Sequence, residues 1–216
     1  MAPMTSENDS PASPLPRVRS PKLKRRSWEG TAGRQIAEAV EDISLHILDI
    51  AENSVRAGAK KIEITIVRDE HDDLLLLELI DDGSGMDPET LARIRDPFFT
   101  TKRKKTGLGI PLLSQTAEQS GGNVTVESSP GSGTKVLATF GLSHVDRPAI
   151  GNLAETLLTL VMGHPEIDVV YTERDGDRVF QFDTREIKTE LEDVPISAPE
   201  ALDAVRHLLR EEIRLK

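Results

Sequence analysis

The sequence predicts an α+β protein, a two-layer α/β sandwich in which helices cover one face of a mixed sheet. Two observations support this fold class. Apolar residues recur at helical spacing between Arg34 and Arg56, and the elements then follow as strand, strand, helix, helix, strand, strand. Strands that alternate between apolar and polar residues build a sheet with one apolar face, and helices are expected to cover it.

The first helix and the first two strands are predicted between Arg34 and Asp81. The helix runs to Arg56, and Gly58 follows in the position of a C-cap. Residues 60–68 alternate with period two and form a strand whose isoleucines share one face. Residues 74–81 form a second strand, although they are rich in leucine.

Two helices and two further strands are predicted next. Asp87 and Pro88 have the residue types of an N-cap and a first-turn proline, and they begin a short helix that ends near Arg95. A second helix is expected from about Gly109 to Ser120. Strands are expected over residues 124–128 and 134–142, joined by a turn rich in glycine and serine.

The chain is predicted to have three parts. Residues 1–31 are rich in proline, serine and basic residues, so we expect a disordered tail. Residues 32–142 form the α/β domain. Residues 143–216 are expected to form a small C-terminal α/β unit with a helix, a hairpin around Asp175-Gly176 and a closing helix.

Composition excludes several functional classes. The 216 residues carry a formal net charge of −10, and only 3% are aromatic, which argues against nucleic acid as a partner. The absence of cysteine excludes disulfides, zinc fingers and thiol nucleophiles. No apolar stretch reaches the roughly 20 residues of a membrane span, and no secretory signal opens the sequence. We therefore expect a soluble, cytoplasmic protein.

The first chemical motif lies at the end of the first helix. Since each helical residue advances by about 100°, Asp49, Asn53 and Arg56 share one face. A carboxylate, an amide oxygen and a guanidinium on one stripe could hold a water, a metal ion and phosphates. Mg²⁺ prefers oxygen ligands and keeps several waters, so a neutral amide oxygen together with phosphates suits it. Alone, the stripe is more typical of a solvated helix face than of a binding site.

Three further motifs follow in fixed order. Asp81-Asp82-Gly83-Ser84-Gly85-Met86 ends a strand, and its first carboxylate could accept a hydrogen bond from an exocyclic amine. Residues 96–102 lead through four consecutive cations into Thr106-Gly107-Leu108-Gly109 at a helix start, which favours a polyphosphate. Gly131-Ser132-Gly133-Thr134 is the fourth motif. Each is weak alone, but their order and spacing together are specific.

With these motifs the sequence resembles the GHKL superfamily, whose ATP-binding Bergerat fold is shared by sensor histidine kinases, MutL, DNA gyrase B and anti-sigma-factor kinases. The resemblance covers about residues 32–142. Residues 49–59 are most similar to MutL, and residues 96–109 to histidine kinases. It implies an ATP site contacted by residues of all four motifs: Asn53, Arg56, Asp81, Gly83, Gly85, Met86, Thr101, Lys102, Thr106, Gly107, Leu108, Gly109 and Thr134.

The resemblance also implies a role for individual residues. Asn53 would coordinate Mg²⁺, and Arg56 matches a basic residue that contacts phosphate in the kinases. Asp81 would bind the adenine amino group, supported by Thr134 through water. The glycines of the second motif would line the base pocket, and those of the third would meet the phosphates.

The catalytic base is where the sequence departs from the hydrolysing members of the superfamily. These members usually have Glu four residues before the Asn, whereas this sequence has Asp49, one methylene shorter. A misplacement of about 1 Å can cost on the order of 100-fold in rate, so we expect slow hydrolysis. Glu52 is the neighbouring candidate base, although it points about 100° away from Asn53.

The sequence therefore predicts an Mg-ATP-binding protein of the histidine kinase-like type. It would be an ATP-dependent phosphotransferase acting on a separate, unidentified protein partner, or a slow ATPase switch. The alternative is a non-catalytic module whose interactions depend on bound nucleotide. A homo-oligomer is left open, and no membrane partner is expected.

Overall fold

A mixed six-stranded sheet is the centre of the structure, a computed structural model that describes residues 42–94 and 109–215. The elements are α1 (Ile43–Arg56), β1 (Lys61–Asp69), β2 (Leu74–Asp81), α2 (Pro88–Arg93), α3 (Gly109–Gln119), β3 (Asn123–Ser128), β4 (Thr134–Gly141), α4 (Leu153–Gly163), β5 (Asp168–Asp175), β6 (Arg178–Asp183), α5 (Thr184–Glu190) and α6 (Pro199–Glu212). The strand order is β3-β4-β2-β1-β5-β6. β1 and β5 are parallel, and the other neighbours are antiparallel. The predicted α+β class is confirmed.

The described part of the first helix begins later than the periodicity predicted. Asp42 has an extended backbone, and its side chain accepts a hydrogen bond from the backbone N–H of Leu45, as an N-cap does. The N–H groups of Ile43 and Ser44 donate to carbonyls of residues 149 and 150. In the described part of the chain the helix therefore begins at Ile43. The helical spacing that the sequence shows before this point falls mainly on residues 34–41, which lie outside the described part.

The core lies on one face of the sheet. Every second residue of β2 is buried, and burial alternates in the same way over most of β1 and β4, as the sequence predicted for these two strands. Among the described helices, α1 contacts β2, α3 contacts β3 and β4, and α1 contacts both α3 and α4. The core of α1 and the central strands is almost fully shielded from solvent: Ile43, Ile47, Ile62, Ile64, Ile66, Leu75, Leu77 and Leu79 are each 1% exposed or less.

Residues 143–216 contain the predicted helix, hairpin and closing helix, together with the unpredicted α5. The hairpin extends the same sheet, because β5 pairs with β1 along the whole of β5, from Asp168 to Asp175. Side chains of α4, β5 and α6 join the core that β1 and β2 build. Because β1 pairs with β2 on one side and with β5 on the other, it exposes no row of unpaired backbone groups.

Within the described ranges, none of the helices has the length and apolar character needed to cross a membrane.

Candidate functional site

A buried carboxylate stands at the end of β2. Asp81 is 7% exposed, and each of its two oxygens accepts a hydrogen bond from the protein. Ser54 of α1 donates to Oδ2 at 2.7 Å, and the backbone N–H of Gly83 donates to Oδ1 at 2.9 Å. The carboxylate is thereby fixed in orientation, and it keeps acceptor capacity for a ligand because a carboxylate has about four lone-pair sites.

Two glycines allow the loops around Asp81 to pack closely. A Cβ on Gly133 would lie 1.9 Å from the carbonyl oxygen of Asp81, and one on Gly85 would lie 2.0 Å from that of Ser129. Both glycines also have positive φ angles, of +75° and +65°, which other residues rarely adopt. Gly83 lies beside Asp81 and Ala57 with a negative φ. The glycines of the second and fourth motifs therefore bring backbone against backbone beside the carboxylate.

Ser128 connects the two loops. Its hydroxyl accepts a hydrogen bond from the backbone N–H of Met86 at 2.9 Å and donates to the carbonyl of Gly133 at 2.8 Å. It also lies 3.1 Å from the hydroxyl of Thr134, the residue that pairs with Asp81 across the β2–β4 ladder. The structure thus brings the second and fourth motifs together, as the resemblance implied, and their contacts with a nucleotide stay a prediction.

The stripe on α1 faces the beginning of α3. A Cβ on Gly109 would lie 1.9 Å from Oδ2 of Asp49, so the carboxylate packs directly against this glycine and would have to turn away from a larger residue. The N-terminal end of a helix carries a partial positive charge that stabilises a neighbouring carboxylate. One turn along α1, Nη2 of Arg56 donates to Oδ1 of Asn53 at 2.8 Å. Asp49, Asn53 and Arg56 therefore share one face, as the spacing predicted.

Glu52, the second candidate base, is turned towards α4. Its Oε1 lies 2.9 Å from Nε2 of His164, the residue that caps α4. Both side chains are partly buried, with 35% of Glu52 and 23% of His164 exposed. Glu52 therefore has a different environment from Asp49, which lies against α3.

Five predicted site residues lie outside the described part of the chain, between Ile94 and Gly109. They are Thr101, Lys102, Thr106, Gly107 and Leu108, and their contacts with phosphate stay predictions.

Sequence reasoning missed Ser54, Ser128 and His164. Ser54 had a detectable signal, because it continues the buried stripe of α1 at a position where an apolar residue is expected. Ser128 is the last residue of β3, and nothing in the strand pattern marks it as a residue of the site. The contact between His164 and Glu52 joins residues 112 positions apart, and no local pattern encodes it.

Comparisons with known proteins cover the part of the chain that carries most of these residues. The family model described as histidine kinase-, DNA gyrase B- and HSP90-like ATPase matches residues 39–144. The sensor histidine kinase ZraS of Klebsiella oxytoca is 38% identical over 95 residues, which are 44% of this chain and 20% of that protein. The sensor protein kinase FleS of Pseudomonas aeruginosa is 39% identical over 88 residues, 41% of this chain and 22% of that protein.

Two further similarities extend over more of the chain. The sensor protein DegM of a Bacillus species is 30% identical over 125 residues, which are 56% of this chain and 34% of that protein. This chain thus spans about a third or less of these three curated relatives. A solved structure of the N-terminal domain of a DNA repair protein matches with a TM-score of 0.48 and 13% identity, covering 72% of this chain and 58% of that one.

Proposed function

Since residues 39–144 belong to the histidine kinase-, DNA gyrase B- and HSP90-like ATPase family, we propose that this protein binds ATP with Mg²⁺. It transfers the γ-phosphate to a separate protein partner and hydrolyses ATP slowly when that partner is missing. The observation that carries the proposal is the double role of α1, in which Ser54 holds Asp81 while the adjacent Asn53 contacts Arg56. The sensor kinases among the relatives support the transfer to protein.

Asp81 is proposed to read the base. Its carboxylate is an acceptor, and adenine presents an exocyclic amine as donor, whereas guanine presents a carbonyl oxygen at the same ring position. A site built around a buried acceptor rejects a ligand that leaves this acceptor without a donor. We therefore expect adenine nucleotides to bind in preference to guanine nucleotides.

Asn53 is proposed to hold Mg²⁺. Within the described ranges, no three His, Asp or Glu side chains cluster as a metal-ligating group. A single neutral amide oxygen fits an ion that keeps most of its waters and takes its other ligands from phosphates. When bound, Mg²⁺ neutralises charge on the transferred phosphoryl group. Because Oδ1 of Asn53 now accepts from Arg56, we expect the guanidinium to turn to the phosphates of bound ATP.

Asp49 is proposed as the general base. It lies at the start of α3, where Gly109 leaves room for its carboxylate. Glu52 is hydrogen-bonded to His164 on the α4 side, so the geometry favours Asp49 over Glu52. Asp49 would take the proton of a water or of an acceptor on the partner.

The test is incubation with γ-labelled ATP and Mg²⁺, comparing the native protein with Asp49→Asn and Asp49→Glu. We expect slow release of labelled phosphate, a fall of about 100-fold or more in Asp49→Asn, and a rise in Asp49→Glu if reach limits the native rate. Glu52→Gln is the matched control on the same helix and should keep its turnover.

Calorimetric titration of the same variants separates loss of turnover from loss of ATP binding. Release that is unchanged in Asp49→Asn would contradict the assignment of the base. Bound ATP whose label never leaves it, with or without candidate partners, would favour the alternative, a non-catalytic module.

A further inference from the structure

We propose that Ser54 is a specificity-determining residue that acts through Asp81 and sets which nucleobase the site accepts. This inference rests on the proposed function, in which Asp81 reads the base. Ser54 is 3% exposed, and its hydroxyl donates to Oδ2 of Asp81 at 2.7 Å across a sequence separation of 27 residues.

The hydrogen bonds of Ser54 distinguish it from a serine that only fills space. A serine inside a helix ordinarily bonds to the carbonyl four residues before it. Here that contact, to the carbonyl of Ile50, is long at 3.3 Å, while the bond to Asp81 is short. Alanine is a better helix former than serine and would also fit this buried position. The main hydrogen bond of the hydroxyl is therefore the one to Asp81, and its contact within the helix is secondary.

The remaining freedom of Asp81 explains what Ser54 controls. Gly133 packs against the carbonyl of Asp81, so the backbone at this position is fixed. The N–H of Gly83 holds Oδ1 of the side chain, and Ser54 holds Oδ2. Without Ser54 the carboxylate would keep one anchor and could rotate about it.

Rotation of the carboxylate would change the choice between bases. The amine of adenine needs one acceptor, whereas the edge of guanine carries two adjacent donors, a ring N–H and an amino group. A carboxylate with both oxygens available pairs well with two adjacent donors. In the native protein each oxygen of Asp81 already accepts one hydrogen bond, so fewer lone pairs remain to pair with the two donors of guanine. Ser54 thus favours adenine and disfavours guanine.

The experiment measures ATP and GTP affinities by calorimetry with Mg²⁺ for the native protein, Ser54→Ala and Ser54→Cys. We expect the ratio of ATP to GTP affinity to fall on the order of tenfold in Ser54→Ala, since one hydrogen bond to a charged group is lost. Ser54→Cys keeps the size of the side chain with a weaker donor, so its ratio should be intermediate.

Ser44→Ala is the matched control. Ser44 lies on the same helix, is also 3% exposed and also donates to a carboxylate at 2.7 Å, that of Asp42. A structural effect of losing a buried hydroxyl from α1 should appear in the melting temperature of both alanine variants. The affinity ratio should change in Ser54→Ala and stay native in Ser44→Ala.

Each outcome separates this inference from the proposed function. A native protein that does not bind ATP, or binds GTP equally well, overturns the role of Asp81. A native preference that persists in Ser54→Ala, or in Ser54→Cys where the alanine variant does not fold, overturns the role of Ser54. An equal fall of the ratio in Ser44→Ala would show a general effect of the helix and overturn it too.

Discussion

At the scale of single residues, Arg56 and the proposed metal compete for one oxygen. Nη2 of Arg56 donates to Oδ1 of Asn53 at 2.8 Å, and this is the atom proposed to ligate Mg²⁺. A guanidinium and a divalent cation repel each other at such a distance. The phosphate oxygens of bound ATP would relieve this conflict, because they attract both cations. We therefore expect Mg²⁺ to bind together with ATP and weakly without it.

Asn53→Ala should remove the part of ATP affinity that depends on Mg²⁺. We expect the native affinity to rise about tenfold or more, about 1.4 kcal/mol or more, when Mg²⁺ replaces a chelator, and the variant affinity to be nearly the same in both conditions. Calorimetric titration with ATP measures both values. Arg56→Ala is the control and should bind ATP more weakly while keeping its dependence on Mg²⁺. A full Mg²⁺ effect in Asn53→Ala would refute the assignment.

At the scale of elements, period and capping signals predicted most of the site and missed one helix. The strand predicted over residues 74–81, despite its richness in leucine, ends at Asp81 as β2 does, and Asp87-Pro88 marked the beginning of α2. α5 was missed because its seven residues contain a single large apolar side chain, that of Ile187. Its beginning depends on Asp183, which accepts hydrogen bonds from both the backbone and the guanidinium of Arg185.

The Asp183–Arg185 pair predicts a pH dependence of stability. The hydrogen bond from Arg185 lowers the pKa of Asp183 below its ordinary value near 3.8. A carboxyl group whose pKa is lower in the folded protein than in the unfolded chain stabilises the fold at pH values above its unfolded-state pKa. This contribution is lost as the pH falls through the folded-state pKa. Asp183→Asn keeps an N-cap but loses the charge, so it should lower the free energy of unfolding by about 0.5–1 kcal/mol at neutral pH.

Urea unfolding of the native protein and Asp183→Asn measures this difference at neutral pH and at several values down to about pH 3. The difference should shrink towards zero at the acid end. Asp177→Asn, at an exposed position in the β5–β6 turn, is the control and should match the native protein throughout. A difference that is constant with pH would contradict the role of the charge.

At the scale of the whole molecule, a buried carboxylate on β5 ties the end of the chain to the sheet. Glu173 is 0% exposed and accepts hydrogen bonds from Arg178 and Tyr171. It also accepts from the backbone N–H groups of Arg214 and Leu215. Burial and the neighbouring Glu173 raise the pKa of Tyr171, so its hydroxyl remains a donor. Residues 143–215 thereby join the sheet that holds the candidate site.

Local patterns could not predict this joining of segments. The turn signal Asp175-Gly176 identified the β5–β6 hairpin, but no local signal indicates that β5 pairs with β1, about 100 residues earlier in the sequence. The same holds for Ser54 and Asp81, where the motifs named the carboxylate but not its donor. The sequence thus predicted most of the elements and the chemical groups, while the pairs that form across the fold required the structure.

The most direct test of the central claim is calorimetric titration with ATP and Mg²⁺ of the native protein, Asp81→Asn and Asp82→Asn. The two aspartates are adjacent, but Asp82 is exposed and accepts from the backbone N–H groups of Lys60 and Lys61. We expect the native protein and Asp82→Asn to bind ATP, and Asp81→Asn to lose about 1–3 kcal/mol of binding free energy at unchanged folding. Equal ATP affinity in Asp81→Asn and the native protein, or no ATP binding by the native protein, would contradict this claim.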